Sequence, residues 1–122
     1  MRINVYTRDD WLSYTHKFPC FVIDEDGLIY NGDDFRLKLI KYPIGRVDFK
    51  RGEIYGKNFR SSFALPTMYI REGVNVTEIY DGDDYRHKFV KYPLGYVRNK
   101  EYYTYDDFHH FFRYPTYHIE VD

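Results

Sequence analysis

Cysteine, alanine and serine are nearly missing from this chain, and each scarcity removes a class of answer. Cys20 stands alone, so no disulfide can form within the chain, and no CxxC or Cys/His cluster is present to hold structural zinc. A reducing, cytoplasmic setting follows as the expectation. Ala64 is the one alanine, which argues against long helices, since these lean on Ala, Leu and Glu. Ser13, Ser61 and Ser62 lie in no GxSxG elbow, and Walker, GxGxxG and HExxH motifs are missing. Neither sign of charge dominates: 18 Lys and Arg oppose 19 Asp and Glu, leaving no global field to attract or imitate nucleic acid. No apolar run approaches the ~20 residues of a membrane span, and MRINVYTRDDWLSYTHK contains no apolar signal core, so no membrane association is expected.

What the chain does have is aromatic side chains, 21% of its 122 residues, with fifteen tyrosines. That composition implies many short β-rich elements in one domain. It is also repetitive. YNGDDFRLKLIKYPIGRV (30–47) and YDGDDYRHKFVKYPLGYV (80–97) agree at eleven of eighteen positions. Aligning on proline extends the pair to five copies, with Pro19, Pro43, Pro66, Pro93 and Pro115 spaced by 24, 23, 27 and 22 residues. A tyrosine precedes each proline (Tyr6, Tyr30, Tyr55, Tyr80, Tyr103), followed by an acidic pair and a ring (Trp11, Phe35, Phe59, Tyr85, Phe108). Only the third copy breaks the acidic pair, with Lys57-Asn58. Such self-similarity marks a repeat architecture, each unit supplying one supersecondary element that stacks on its neighbours.

From each proline to the next tyrosine the pattern is a hairpin, with turns at Gly27, Arg51-Gly52 and Asn99-Lys100. The acidic pair reads as a helix N-cap, opening a helix of about two turns. Phe35, Leu39 and Tyr42, like Tyr85, Phe89 and Tyr92, then form a packing face, and Lys17, Lys41, Lys91 and Arg113 suit the negative helix end. The chain starts in a second strand, RINVY, and ends in a first strand, YHIEV. Pairing these two would remove the sheet edges. The expected fold is therefore α+β: five ββα units (approximately 1–19, 20–43, 44–66, 67–93 and 94–122) closed into a ring or barrel, terminal strands paired, short helices outside.

Candidate chemistry is sparse. Acidic pairs at fixed spacing would suit calcium or acid–base work, yet no run such as DDFRLKLIK supplies the further oxygen ligands of a calcium loop. Helix capping accounts for them, and no metal or cofactor is expected. The motif tyrosines fit either a stacking surface or packing between hairpin and helix, with the hydroxyl on a backbone partner. Tyr14, Tyr69, Tyr96, Tyr105 and Tyr117, outside the motif, are the expected contact residues. Among the histidines (His16, His87, His109, His110, His118) no slot recurs in every copy. Basic side chains gather on the helical segments: Arg36, Lys38, Arg60, Arg86, His87, Lys88 and His109 form a candidate positive binding surface for an acidic protein, a nucleotide or nucleic-acid phosphates. The resulting expectation is a non-catalytic intracellular protein-binding inhibitor or adaptor, of the kind phages deploy against host defences. The alternative is a nucleotide or sugar binder, or a hydrolase, using a central aromatic and acidic opening.

Overall fold

Ten short strands, all antiparallel to their neighbours, close into a barrel in the order β1-β10-β9-β8-β7-β6-β5-β4-β3-β2. The computed structural model describes residues 1–13, 17–39, 41–87 and 92–122. The strands are β1 (Ile3–Thr7), β2 (Phe21–Ile23), β3 (Leu28–Asn31), β4 (Gly45–Asp48), β5 (Glu53–Tyr55), β6 (Met68–Glu72), β7 (Thr77–Asp81), β8 (Gly95–Arg98), β9 (Glu101–Thr104) and β10 (Tyr117–Val121). The helices among the described residues are α1 (Arg8–Leu12), α2 (Gly32–Leu37), α3 (Gly82–His87) and α4 (Tyr105–His109). The terminal strands do pair: Ile3 faces Val121 and Thr7 faces Tyr117, so closure leaves no open sheet edge.

Each sheet position follows from one repeated backbone bond. The residue after each proline donates its N–H to the carbonyl of the residue before each motif tyrosine: Cys20 to Val5, Ile44 to Ile29, Thr67 to Ile54, Leu94 to Ile79 and Thr116 to Tyr102, at 2.7–2.8 Å. Proline itself has no N–H to give, so the following residue makes the first bond of the incoming strand. The expected hairpin turns are present. Asn99 and Lys100 have φ of 53° and 64°, the two left-handed positions of a tight turn whose twist matches its strands. Gly52, at φ 66°, has no room for a side chain, because a Cβ would sit 2.4 Å from the Ile70 carbonyl oxygen.

All five hairpin turns, counting the meeting of the termini, lie at one end of the barrel, here the hairpin end. The five longer connections, 8–20, 32–44, 56–67, 82–94 and 105–116, lie at the other, here the connection end. Alternation along the strands sends Val5, Ile54, Ile79, Val97 and Ile119 inward and the motif tyrosines outward, beneath the helices.

Three expectations about the helices need correction. First, they run only five or six residues, and the chain is already extended at Ser13, Lys38 and His110. Leu39, Tyr42 and Tyr92 therefore lie beyond the helices and are exposed, and Phe89 lies outside the described residues. Second, the N-cap is the residue before the helix. Thr7 and Thr104 Oγ1 accept from the Asp10 and Asp107 N–H groups, and Asn31 Oδ1 accepts from that of Asp33, while Asp81 Oδ2 accepts from those of Asp83 and Asp84. The acidic pairs occupy the first turn, where they offset the positive end of the dipole. Third, segment 56–64 forms turns and no α-helix. Gly56 stands at its cap position without a side-chain acceptor, and Lys57 puts positive charge where the other copies have negative.

Candidate functional site

Each motif tyrosine is part of the scaffold. Tyr6 packs on Trp11, Tyr30 on Phe35, Tyr80 on Tyr85 and Tyr103 on Phe108, with ring centroids 5.4–5.9 Å apart. The hydroxyls reach side-chain carboxylates, not the backbone partners expected. Tyr55, Tyr80 and Tyr103 donate to Glu53, Glu78 and Glu101 at 3.1–3.5 Å, and the carboxylates of Glu120 and Asp24 act on the Tyr6 and Tyr30 hydroxyls. Burial first, then the neighbouring negative charge, raises the pKa of all five phenols, favouring the neutral donor form. None of these tyrosines lines the central opening, and the acidic pairs sit on the outer helices.

The bases expected at helix ends act differently as well. Lys17 lies over Trp11, Lys41 over Phe35 and Arg113 over Phe108, each 4.3–4.8 Å from the ring centroid. They cover the motif ring by cation–π contact, worth about 0.5–1 kcal/mol at exposed sites. Lys91 lies outside the described residues. In the third copy Ala64 leaves that place without a base, and Arg60 lies over Phe59 instead, at 5.2 Å.

Of the candidate positive surface, Lys88 lies outside the described residues. Arg36 pairs with Asp33 at 3.0 Å and lies 3.8 Å over Phe18, so it joins α2 to the preceding connection. Lys38 pairs with Asp34 at 3.0 Å. Arg86 bonds to Asp83, the Pro66 carbonyl and the Tyr69 hydroxyl, which ties α3 to the connection before it. The His87 and His109 Nδ1 atoms lie 2.9 and 2.8 Å from the carbonyl oxygens of Asp83 and Tyr105. Exposed pairs of this kind contribute ~0–1 kcal/mol, so Arg36, Lys38 and Arg60 keep their charge available at the surface. Among the expected contact tyrosines, Tyr69 and Tyr96 are buried, Tyr117 points into the barrel, Tyr105 stacks on Tyr96, and Tyr14 lies outside the described residues.

What the sequence reading missed is apolar. Leu37, Leu39, Phe63, Leu65, Phe111 and Phe112 are all well exposed, Phe63 at 91% and Phe111 at 90% of their full surface. All lie in connections at one end of the barrel. A signal was available: segments 13–19, 38–44, 56–67, 88–94 and 110–116 hold eight Lys and Arg and no Asp or Glu. The hairpin end is different, with Asp24, Glu25, Asp26, Asp48, Glu72 and Asp122 in or beside its turns. The connection end thus presents exposed apolar side chains and acid-free segments beside the Asp pairs of its helices, and the hairpin end carries the acidic turns.

No group of three or more His, Cys, Asp or Glu able to hold a metal occurs among the described residues. Cys20 is half-buried with its thiol 3.3 Å from the Val5 carbonyl, and burial pushes its pKa up, away from a reactive thiolate. No described helix is long and apolar enough to cross a membrane. Compared with protein-family models, curated proteins and solved structures, the chain matches none.

Proposed function

We propose that this chain is a non-catalytic intracellular binding protein, a stoichiometric inhibitor or adaptor that docks an acidic partner protein on its connection end. The observation that carries the reading is the coincidence, at that end, of exposed large apolar side chains with five acid-free segments. Large apolar side chains gathered exposed on one end of a fold are a feature of interaction sites. Arg36, Lys38 and Arg60 would supply the charged margin, with His109 beside them as a hydrogen-bonding group, steering an acidic surface onto the apolar anchors. The scaffold is read as five copies of one ββα unit, the third without its helix. Support comes from the five equivalent bonds made by the residues after the prolines. The alternative of a nucleotide or sugar site in the central opening has less support, because the opening is lined by apolar residues.

The test is affinity capture from the cells that make the protein, comparing wild type with a Leu39→Ser, Phe63→Ser, Phe111→Ser variant. Wild type should retain one acidic protein at equal stoichiometry, more weakly at high salt. The variant should lose it, since truncated interface anchors cost about 2 kcal/mol or more each, while melting within about 3 °C of wild type because all three side chains are exposed. Equal capture by both proteins, or capture of none, refutes the reading.

A further inference from the structure

Apolar side chains that close a barrel interior normally fill it, yet here the inward layer leaves an open cavity of about 340 Å³. Phe21, Met68 and Tyr117, which begin β2, β6 and β10 at the connection end, line it, so the cavity opens toward that end. Val5 and Ile79 also line it. Tyr102 crosses over Gly95: a Cβ there would meet its hydroxyl oxygen at 2.4 Å, so the glycine is what lets the ring lie along the wall. The only polar side-chain atoms among the lining residues are the hydroxyls of Tyr102 and Tyr117, whose rings are 6.0 Å apart.

The best-buried of the described side chains lie mostly elsewhere. Tyr6, Val22, Tyr69, Tyr96 and Tyr103 are buried on the outer face, whereas inside only Val47 and Ile79 reach the same burial. The packed core of this protein therefore lies outside its barrel, and the interior is not filled by its own side chains.

We propose that this interior is a binding site for a small, uncharged, largely apolar molecule carrying at most one hydrogen-bonding group, held between Tyr102 and Tyr117. An apolar cavity of about 150 Å³ accommodates benzene, so this one takes roughly a dozen non-hydrogen atoms. Charge is excluded on chemical grounds: a carboxylate or ammonium group among these residues would lose its water and gain no ionic partner. The mouth opens on the same end as the proposed docking surface, but the cavity's fit to a small molecule does not depend on that proposal.

The probe is 1-naphthol, a neutral two-ring alcohol of suitable size, titrated into the full chain by fluorescence, with Met68 carrying a ¹³C-labelled methyl group for NMR. The expected result is saturable binding with Kd on the order of 10–100 µM, and nuclear Overhauser contacts from the naphthol ring to the Met68 methyl. Ile119→Phe, which fills the cavity, should weaken binding at least about tenfold. 1-Naphthoate, of similar shape but charged, should bind at least about tenfold more weakly than the alcohol. Should Ile119→Phe fail to fold, the Met68 contacts in wild type decide the matter alone. Binding without those contacts, undiminished binding by folded Ile119→Phe, or tighter binding of the naphthoate overturns the proposal. So does sedimentation showing a second copy of the chain occupying the mouth, with no naphthol bound.

Discussion

Replacing Gly32 by alanine tests the geometry that joins α2 to the proline segment before it. Gly32 is the first residue of α2, and its N–H donates to the Cys20 carbonyl at 2.9 Å. A Cβ on Gly32 would lie 1.7 Å from the Pro19 carbonyl oxygen and 2.7 Å from its carbon. Both obstacles are backbone, so no flexible side chain can yield; the helix start and the Pro19 segment must separate. Separation costs the Gly32–Cys20 bond, about 1 kcal/mol, and part of the Asn31 cap, about 1 kcal/mol. Added strain and the weakened contact of Arg36 with Phe18 bring the loss to roughly 2–4 kcal/mol. At this chain length each kcal/mol lowers Tm by about 4 °C, so Gly32→Ala should melt about 8–16 °C below wild type. Gly56→Ala is the control, since a Cβ there meets nothing closer than the Thr67 methyl at 3.3 Å. It should melt within about 2 °C of wild type. The assay is thermal unfolding followed by circular dichroism. If Gly32→Ala and Gly56→Ala melted alike, the tight helix–proline junction would be wrong.

Two further outcomes follow from the same scaffold. The phenols of Tyr6, Tyr30, Tyr55, Tyr80, Tyr96, Tyr102 and Tyr103 all have pKa values raised above the ordinary 10.0, chiefly by burial. The unfolded chain therefore loses these protons first, so their contribution is fully present below about pH 10 and is lost as pH climbs through the raised folded values. The urea midpoint should be flat from about pH 8 to 9.5 and fall steeply above 10; a midpoint unchanged at about pH 11 would contradict this. Thr104→Ala removes the Oγ1 that accepts from the Asp107 N–H at 3.2 Å and should cost about 1 kcal/mol in urea unfolding, with Thr104→Ser restoring most of it. No loss in the alanine variant would place the start of α4 under some other control.

The closed barrel was legible because its signals are local and repeated. Five prolines mark five strand entries, and the β-favouring residues beside them supply both partners of the recurring backbone bond. Closure could be read from phase, since RINVY and YHIEV are the two halves of one hairpin. Helix length was not legible. Phe35, Leu39 and Tyr42 fit a 3.6-residue period, but three positions cannot distinguish a helix from a chain that turns extended at Lys38. The candidate site suffered from the same error. Treating Leu39 and Tyr42 as packing residues assigned them to the core, which left only charges to mark the surface. The cap was misplaced for a related reason: both Asn31 and Asp33 suit an N-cap chemically, and only two residues of register separate them.

Near-symmetry raises a difficulty for any single partner docked on the connection end, and the third copy bears on it. Five similar connections would offer five similar poses, and to favour one of five even tenfold over the rest needs about 1.4 kcal/mol of difference. Segment 56–67 supplies a difference of kind. Without Asp-Asp and without an α-helix, it opens a groove of about 480 Å³ lined by Lys57, Asn58 and Ser61 together with Phe59, Phe63 and Leu65. Loss of one cap and one acidic pair costs a helix of about one and a half turns, worth little by itself in water. In exchange the surface gains a place where, on the proposed function, an apolar anchor and hydrogen-bonding groups would meet a partner in one orientation only. The irregular copy would then fix the pose, and the four regular copies would hold the barrel on which it is displayed.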